Sequence, residues 1–311
     1  MTDLQEPFVQ TNAPVDLIDA PGWVSKFVEF ERASWQAAFD GGVIRSVDSS
    51  THSLVSMVVR DALRMSACEF VSAVESVYES LRGRLDSLAC GSPVRMWNYV
   101  PGILDPIGDV PSRYQLLNQA RYDVYCRWYG SPEGFQDHVV TATCTGHAGN
   151  DYIFHCLCAP APGVAVENPR QCASYRYSKR YGAKPPCFAR ATSLPAGQTG
   201  RRQIMVGGTA SVSGEDSRYQ DDLARQLDET FRNMSSIISA SSASPSDGSQ
   251  ALSLGAYSDI RIYYKNQNDR HQIKDAVSRR FSADVTTEWI HAPICRDELL
   301  VEIEGLALVS D

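Results

Sequence analysis

The chain has 311 residues, of which 43% are hydrophobic and 21% are charged, and its formal net charge is −8. This composition is typical of a globular protein and excludes a disordered one, and the length predicts two domains or one large domain. The acidic balance argues against a nucleic-acid binder, which needs clustered basic residues, and against an electrostatic membrane anchor. The sequence has no long apolar run and no basic, apolar leader, which predicts a soluble, cytoplasmic protein.

Hydrophobic periodicity predicts strands and helices in the same order in both halves of the chain. In the first half the predicted strands are 53–59, 93–100, 139–144 and 152–158, and the predicted helices are 70–88 and 112–128. In the second half the predicted strands are 187–192, 203–212, 259–265, 287–292 and 299–309, and the predicted helices are 223–238 and 273–281. A serine-rich run at 235–250 predicts a solvated loop after the first of these helices.

Each half therefore resembles a β-β-α-β-α-β unit, which predicts an α+β fold with mixed sheets and helices packed on one face. The Ala-Pro-Ala-Pro-Gly segment at 159–163 predicts the boundary between a domain at 1–160 and a domain at 161–311.

The nine cysteines are odd in number, scattered, and without a Cys-x-x-Cys pair, which indicates free thiols and not a disulfide framework. Cys144, His147 and the His155–Cys158 stretch come closest to a zinc-binding pattern, but Cys156 and Cys158 are interpreted as small hydrophobic residues on one face of a strand. Glycine-rich nucleotide-binding loops, the His-Glu-x-x-His pattern and the Gly-x-Ser-x-Gly elbow are also missing. The sequence thus predicts no metal and no cofactor.

Three stretches carry polar residues in places that suggest chemistry. Tyr114 and Arg121 are seven residues apart on one face of the predicted helix 112–128, where a buried arginine needs an anion unless it reaches the rim. The stretch 167–190 alternates tyrosines and arginines around turn residues, which is typical of a carboxylate-binding loop or of a charged surface loop.

The third stretch is the apolar strand near the C-terminus, where strict alternation places Glu302 and Glu304 on one face. If the strand is covered by protein, such a carboxyl group is either paired with a cation or has a raised pKa that suits a general acid. A solvated glutamate pair on an edge strand is the alternative.

These stretches, in this order, resemble the chorismatase family, enzymes that remove the enolpyruvyl group of chorismate as pyruvate. The most specific matching blocks are Glu-Asn-Pro-Arg-Gln at 167–171 and Cys-Arg-x-x-Leu-Leu-x-Glu-Ile-Glu at 295–304. Further matching pieces lie at 99–103, 181–182, 187–191, 208–211 and 226–233, so the resemblance covers most of the chain from about residue 95. The last ~125 residues are also similar to the small YjgF-like imine deaminases, which implies a chorismate-mutase-like (YjgF-like) fold for each unit.

The resemblance also implies the site residues. The family's two substrate-binding Tyr/Arg pairs fall on Tyr114 with Arg121 and on Tyr177 with Arg190, and its acid/base glutamate falls on Glu302. Cys295 occupies a branch point of the family, at which cysteine accompanies release of 3-hydroxybenzoate and alanine accompanies release of a dihydroxy-cyclohexadiene acid. The implied partner is a small dicarboxylate, chorismate, held by a monomer or a homotrimer.

One loop departs from the family pattern. Where the family reads Gly-His-x-Ser, this chain has Gly-Glu-Asp-Ser, so that Glu215 and Asp216 stand in place of a His. Tyr219 and the pair Asp221-Asp222 stand where the family has His and Gly-Asp. Acidic neighbours would suit an amino group in place of the 4-hydroxyl, so 4-amino-4-deoxychorismate is an alternative substrate. An imine deaminase and a non-catalytic metabolite-binding protein are the alternative classes.

Overall fold

The computed structural model describes residues 20–28, 33–196, 200–241 and 254–310. Within these ranges the chain forms two six-stranded mixed sheets, each with two helices. No helix in the described ranges is both long and apolar enough to cross a bilayer.

The first sheet is built from residues 33–159. Its strands are β1 (Ala33–Phe39), β2 (Gly42–Asp48), β3 (Ser53–Val59), β4 (Ser92–Pro101), β5 (Thr141–His147) and β6 (Tyr152–Ala159), in the order β1-β2-β3-β6-β4-β5. Helices α1 (Ala67–Leu85) and α2 (Arg113–Tyr129) flank β4 in the sequence. Neighbouring strands are antiparallel except β4 and β5, which are parallel and joined by α2.

The second sheet repeats this plan with residues 164–309. Its strands are β7 (Val164–Val166), β8 (Ala191–Leu194), β9 (Arg202–Ala210), β12 (Tyr257–Tyr264), β13 (Thr286–His291) and β14 (Val301–Val309), in the order β13-β12-β14-β9-β8-β7. Between β9 and α3 (Leu223–Ser241) lies a short hairpin of β10 (Val212–Ser213) and β11 (Asp216–Ser217). Helix α4 (Arg270–Arg280) joins the parallel pair β12 and β13. The two units therefore have the same strand order and the same parallel pair.

Local sequence explains where the helices begin. A capping box starts α1, because Ser66 accepts from the Glu69 backbone amide while the Glu69 carboxylate accepts from the Ser66 backbone. Ser112 caps α2 by accepting from the Gln115 backbone amide. The apolar face predicted for α3, from Leu223 to Ile238, is buried against the second sheet.

The two sheets pack against each other, and the helices cover their outer faces. Trp97 and Tyr99 of the first sheet lie in one apolar core with Met205, Tyr263 and Leu306 of the second. Full burial of each large side chain stabilises the fold by about 2–3 kcal/mol. This core forces any polar group on the inner faces to find a partner in the opposite sheet.

The α+β class with mixed sheets and helices on one face is confirmed, but each unit has more strands than predicted. The hairpin of β1 and β2 and the short strand β7 were not predicted, and the strand predicted at 187–192 begins only at Ala191. The serine-rich run was wrongly predicted to be loop from residue 235, because α3 continues to Ser241 with Ser235 and Ser241 buried. Residues 242–250 of that run lie outside the described ranges. The domain limits 1–160 and 161–311 stay a prediction.

Candidate active site

The predicted site residues converge at a seam between the two sheets. The edge strand β5 of the first sheet forms bridges through Thr141 to Ala189 and through Thr145 to Ile294. Backbone hydrogen bonds from Ala189 to Val140 (3.2 Å) and from Gly146 to Pro293 (2.8 Å) fasten the same segments. The residues next to these bridges, Arg190 and Cys295, are thereby brought to the first unit.

Arg121 is buried in α2, at 1% exposure, without a carboxylate partner among the described residues. Its Nη2 donates to Asn118 Oδ1 at 2.9 Å, while its Nε and Nη1 have no hydrogen-bond partner in the described part of the chain. The Nδ2 of Asn118 likewise has no hydrogen-bond partner among the described residues. A buried guanidinium with free N–H groups is costly unless an anion meets it. The arrangement therefore suits an anionic ligand.

Tyr114, one turn before Asn118, connects Arg121 to the C-terminal segment. Its hydroxyl lies near the thiol of Cys295, and each of the two groups influences the pKa of the other. Burial, helped by the nearby Glu302, raises the pKa of the Cys295 thiol to about 12, so the sulfur is a neutral thiol at physiological pH. Burial also raises the pKa of Tyr114 well above its ordinary value, so this hydroxyl remains a donor.

Arg190 and Tyr177 form the predicted pair. The Nη2 of Arg190 donates to the Tyr177 hydroxyl at 2.6 Å and to the Cys172 carbonyl at 2.9 Å, and the guanidinium lies 5.0 Å from the centre of the Phe188 ring. Both members of the pair are buried, and Nε of Arg190 lacks a partner among the described residues. This cation too keeps hydrogen-bonding capacity for a ligand.

Glu302 lies on β14, on the face turned toward the first sheet, and is 5% exposed. Its carboxyl group passes over Gly208 of β9, where an added Cβ would overlap it, so a larger residue at this position would displace the Glu302 carboxyl group. Burial raises the pKa of Glu302 to about 8, the charge of Glu304 adds to the rise, and nearby arginines oppose it. Glu302 is therefore protonated at neutral pH, the state that a general acid needs.

Sequence reasoning assigned no role to Arg296, which follows Cys295. Its guanidinium stacks on the Tyr181 ring at 3.8 Å and donates to the Glu215 carbonyl (2.8 Å) and Ser217 Oγ (3.1 Å). Its charge is one of those that lower the pKa of Glu302. The sequence could have indicated a role for Arg296, because this cation lies between Cys295 and the strand that carries Glu302 and Glu304.

Glu167 was also missed. It extends β7 beyond Val166, which pairs with Ala191, so the register places Glu167 opposite Arg190. Both carboxyl oxygens are buried without a hydrogen-bond partner in the described ranges. Burial raises the pKa of Glu167 to about 7 against the charges of Arg190 and Arg176. The site thus holds a second carboxyl group that titrates near neutrality.

In the loop that departs from the family pattern, both acidic side chains interact with other residues of the protein. Glu215 accepts from the backbone amide (2.8 Å) and the hydroxyl (2.7 Å) of Ser178, and Asp216 pairs with Arg180. These contacts hold the segment that carries Tyr177 and Tyr181 beside Arg296.

Other motif residues form a separate cluster, which we call the Asn233 cluster (Arg170, Glu229 and Asn233). Glu229 and Asn233 are buried on α3, and the exposed Arg170 reaches them from the segment after β7. Asn233 Nδ2 donates to the carbonyls of Ala210 (3.0 Å) and Val212 (2.8 Å). Arg170 donates to Asn233 Oδ1 (3.0 Å) and to Glu229 (2.5 Å). This cluster fastens the bend after β9 to the helix and uses its polar groups within the protein.

Comparisons with known proteins agree with this fold. A crystal structure of a chorismatase superposes with a TM-score of 0.73 at 24% identity, covering 89% of this chain and 80% of that one. The family model described as chorismatase FkbO/Hyg5-like, N-terminal, matches residues 33–158. The fold is therefore that of a chorismatase.

Sequence relatives identify the family. A Streptomyces hygroscopicus protein named 3-hydroxybenzoate synthase is 32% identical over 248 residues, which cover 77% of this chain and 70% of the relative. A chorismatase of Streptomyces rapamycinicus is 27% identical over 242 residues, covering 76% of this chain and 70% of that protein. The chain belongs to the chorismatase family.

Proposed function

We propose that this chain removes the enolpyruvyl group of chorismate as pyruvate and leaves 3-hydroxybenzoate as the aromatic product. The main support is that buried arginines from both units, Arg121 and Arg190, keep N–H groups without a partner among the described residues, and that Arg190 is one of the cations near a protonated Glu302. A guanidinium can bind a carboxylate through two parallel N–H groups, so two such cations fit a dicarboxylate. The relative that supports the product is the 3-hydroxybenzoate synthase.

In this proposal each arginine holds one carboxylate of the substrate. Arg121, with the Tyr114 hydroxyl, binds one of them, and Arg190, with Tyr177, binds the other. Because one chain supplies all four residues, the proposal does not require the homotrimer, and a monomer would also hold the site.

Glu302 acts as the general acid in the proposed reaction. It gives its proton to the methylene carbon of the enolpyruvyl group, which leaves an oxocarbenium ion and a Glu302 carboxylate that stabilises it. Water or the neighbouring 4-hydroxyl of the substrate then captures the cationic carbon, and the adduct collapses to pyruvate. The ring loses its C3 proton and its 4-oxygen, which leaves as water after capture by water and within the pyruvate after capture by the 4-hydroxyl, and 3-hydroxybenzoate results. The neutral thiol of Cys295, near Glu302 and Tyr114, contacts the ring region of the substrate and influences the product.

No contact in the described residues favours the 4-amino substrate, because Ser178 and Arg180 occupy the acidic side chains that would meet the amino group. The imine deaminase and the non-catalytic binder likewise have no observation in their favour.

The test is incubation of the purified chain with chorismate, with pyruvate followed by a coupled dehydrogenase and the aromatic product identified by chromatography. We expect stoichiometric pyruvate and 3-hydroxybenzoate, and Glu302→Gln should bind chorismate but release pyruvate at least 100-fold more slowly. Absence of pyruvate would contradict the proposal. Parallel incubation with 4-amino-4-deoxychorismate and with a small imino acid tests the alternatives.

The role of Cys295 can be tested with one variant and one matched control. Cys295→Ala should change the ratio of aromatic to dihydroxy-cyclohexadiene product while pyruvate release continues. Cys126→Ala, a half-buried thiol on α2, is the matched control and should leave the ratio unchanged. An unchanged ratio in Cys295→Ala would remove Cys295 from the proposed site.

A further inference from the structure

A second buried carboxylate, Glu304, lies two residues beyond Glu302 on the same face of β14, at 0% exposure. It forms an ion pair with Arg95 of β4, which is also 0% exposed, and this pair joins the two sheets. Thr143 of β5 donates to the same carboxylate.

Two further donors complete the surroundings of Glu304. The Trp97 Nε1 lies 3.1 Å from both carboxylate oxygens, and the Tyr263 hydroxyl donates to Oε1 at 3.0 Å. An ionised carboxylate only accepts hydrogen bonds, so a shell made entirely of donors fits the charged form. Glu304 therefore places a fixed negative charge about 7 Å along the strand from Glu302.

The same network also reaches the backbone beneath Glu302. Thr143 Oγ1 accepts from the Gly208 amide at 2.9 Å while it donates to Glu304. Gly208 is the residue over which the Glu302 carboxyl passes. The position of Glu302 and the charge beside it are thus fixed by one set of contacts.

We propose that Glu304, held ionised by Arg95, is a positioning residue that keeps Glu302 protonated and so ready to act as an acid. This inference rests on the proposed function, because it assumes that Glu302 donates the proton. Two like charges in a covered site repel, so the proton stays on the carboxyl group that has fewer donors.

The other ionisable groups around Glu302 are consistent with this role. The neighbours are Glu304, the cations Arg95, Arg190 and Arg296, and the thiols Cys144 and Cys295. Arg190 and Arg296 favour the carboxylate form of Glu302 in the free protein. A substrate carboxylate bound to Arg190 would neutralise that cation, which increases the relative effect of Glu304 on Glu302.

The experiment compares two variants with opposite expected effects on the pH dependence of pyruvate release. In the native chain, kcat/KM should fall as pH rises through about 8, because Glu302 loses its proton. Glu304→Gln should move this fall about one to two pH units lower. Arg95→Met should move it higher, since Trp97, Tyr263 and Thr143 still hold Glu304 charged.

Structural damage would move both variants in the same direction, so opposite shifts support the proposal. Asp297→Asn, which removes an exposed carboxylate five residues before Glu302, is the matched control and should leave the profile in place. If one variant does not fold, the direction of shift in the other decides. A folded variant whose profile stays within about 0.3 pH units of the native one would overturn the proposal.

A readout without catalysis separates this inference from the proposed function. Difference infrared spectroscopy between the native chain and Glu302→Gln isolates the carboxyl stretch of protonated Glu302, and its titration can be repeated in the Glu304→Gln background. If chorismate yields no pyruvate but Glu304→Gln lowers the titration midpoint, the proposed function fails and the effect of Glu304 stands. An unchanged midpoint overturns the inference whatever the activity.

Discussion

The Asn233 cluster and the surroundings of Arg121 both contain buried polar side chains, but they differ in how their hydrogen bonds are used. Arg170, Glu229 and Asn233 bond to one another and to backbone carbonyls of the second unit. Arg121 and Asn118 of the first unit bond to each other and keep further N–H groups without a partner in the described ranges. Since buried polar groups are normally satisfied, the first cluster is complete and the second needs a ligand or water.

This difference separates two kinds of motif residue that the sequence presents alike. The Glu-Asn-Pro-Arg-Gln block and the helix of Tyr114 and Arg121 both carry the resemblance to the family. Arg170 of the block stabilises the fold, whereas Arg121 has no described carboxylate to neutralise it. Substitutions in the Asn233 cluster should therefore lower stability, whereas substitution of Arg121 should lower activity.

The largest expected effect is on activity in Arg121→Met. Loss of the cation should lower kcat/KM for pyruvate release by about 10²–10⁴-fold, because a substrate carboxylate would be left unpaired. The melting temperature should stay the same or rise, since a buried charge without a partner is replaced by an apolar chain. Arg113→Met on the same helix is the control, because Arg113 donates to the Leu63 carbonyl at 2.6 Å. Arg113→Met should lose stability and keep activity. The same result in Arg121→Met would contradict a ligand-binding role for Arg121.

The next effect is on the pH dependence of stability. The native Glu302 holds its proton up to about pH 8, whereas the unfolded chain loses it near the ordinary pKa of 4.5, so the free energy of unfolding should decrease as pH rises through this window. Glu302→Gln lacks this penalty and should be more stable than the native chain by a few kcal/mol at pH 9, with little difference near pH 4. Urea unfolding of both proteins at several pH values measures this difference in the free energy of unfolding. Parallel curves for the two proteins would show that Glu302 is not protonated in the fold.

A smaller effect is expected in the Asn233 cluster. Asn233→Leu removes the hydrogen bonds to the Ala210 and Val212 carbonyls and one bond of Arg170, which keeps its bond to Glu229, and this should lower the free energy of unfolding by about 2–3 kcal/mol. Well below the melting temperature, kcat/KM should remain within a few-fold of the native value. A loss of activity in a fully folded variant would place this cluster in the site.

The smallest effect concerns Asp221, which has φ 62° and stands where the family resemblance places a glycine. Asp221→Gly should raise the free energy of unfolding by about 0.5 kcal/mol, because glycine adopts this left-handed conformation without strain. The neighbouring Asp222 accepts from the Arg225 amide at 3.0 Å, so Asp222→Ala should instead cost about 1 kcal/mol. Chemical denaturation of the two variants distinguishes strain from capping.

Periodicity was enough to predict the helices and most strands. Ser112 and the apolar spacing along α2 predicted that helix to within a residue at each end. The hairpin of β1 and β2 was not predicted, because only Ile44 and Ser46 of β2 are fully buried and the apolar alternation is weak. The 3-residue strand β7 is too short for a periodic signal.

The site was predictable only in part. Alternation placed Glu302 and Glu304 on one face, and the family resemblance selected Arg121 and Arg190. The partner of Glu304, Arg95, is 209 residues away in the sequence, so the register of two different sheets decides that contact. Local sequence does not reveal how strands of different sheets pack against each other. Arg95 is a single arginine in an apolar strand, and its neighbours in the sequence give no indication of its partner.

The ion pair of Arg95 and Glu304 also constrains how this protein can diverge. Removing either partner leaves an uncompensated charge between the sheets, which typically costs 3–5 kcal/mol. The two positions must therefore change together, and a chimaera that joins the first unit of one relative to the second unit of another has to inherit matching residues at both.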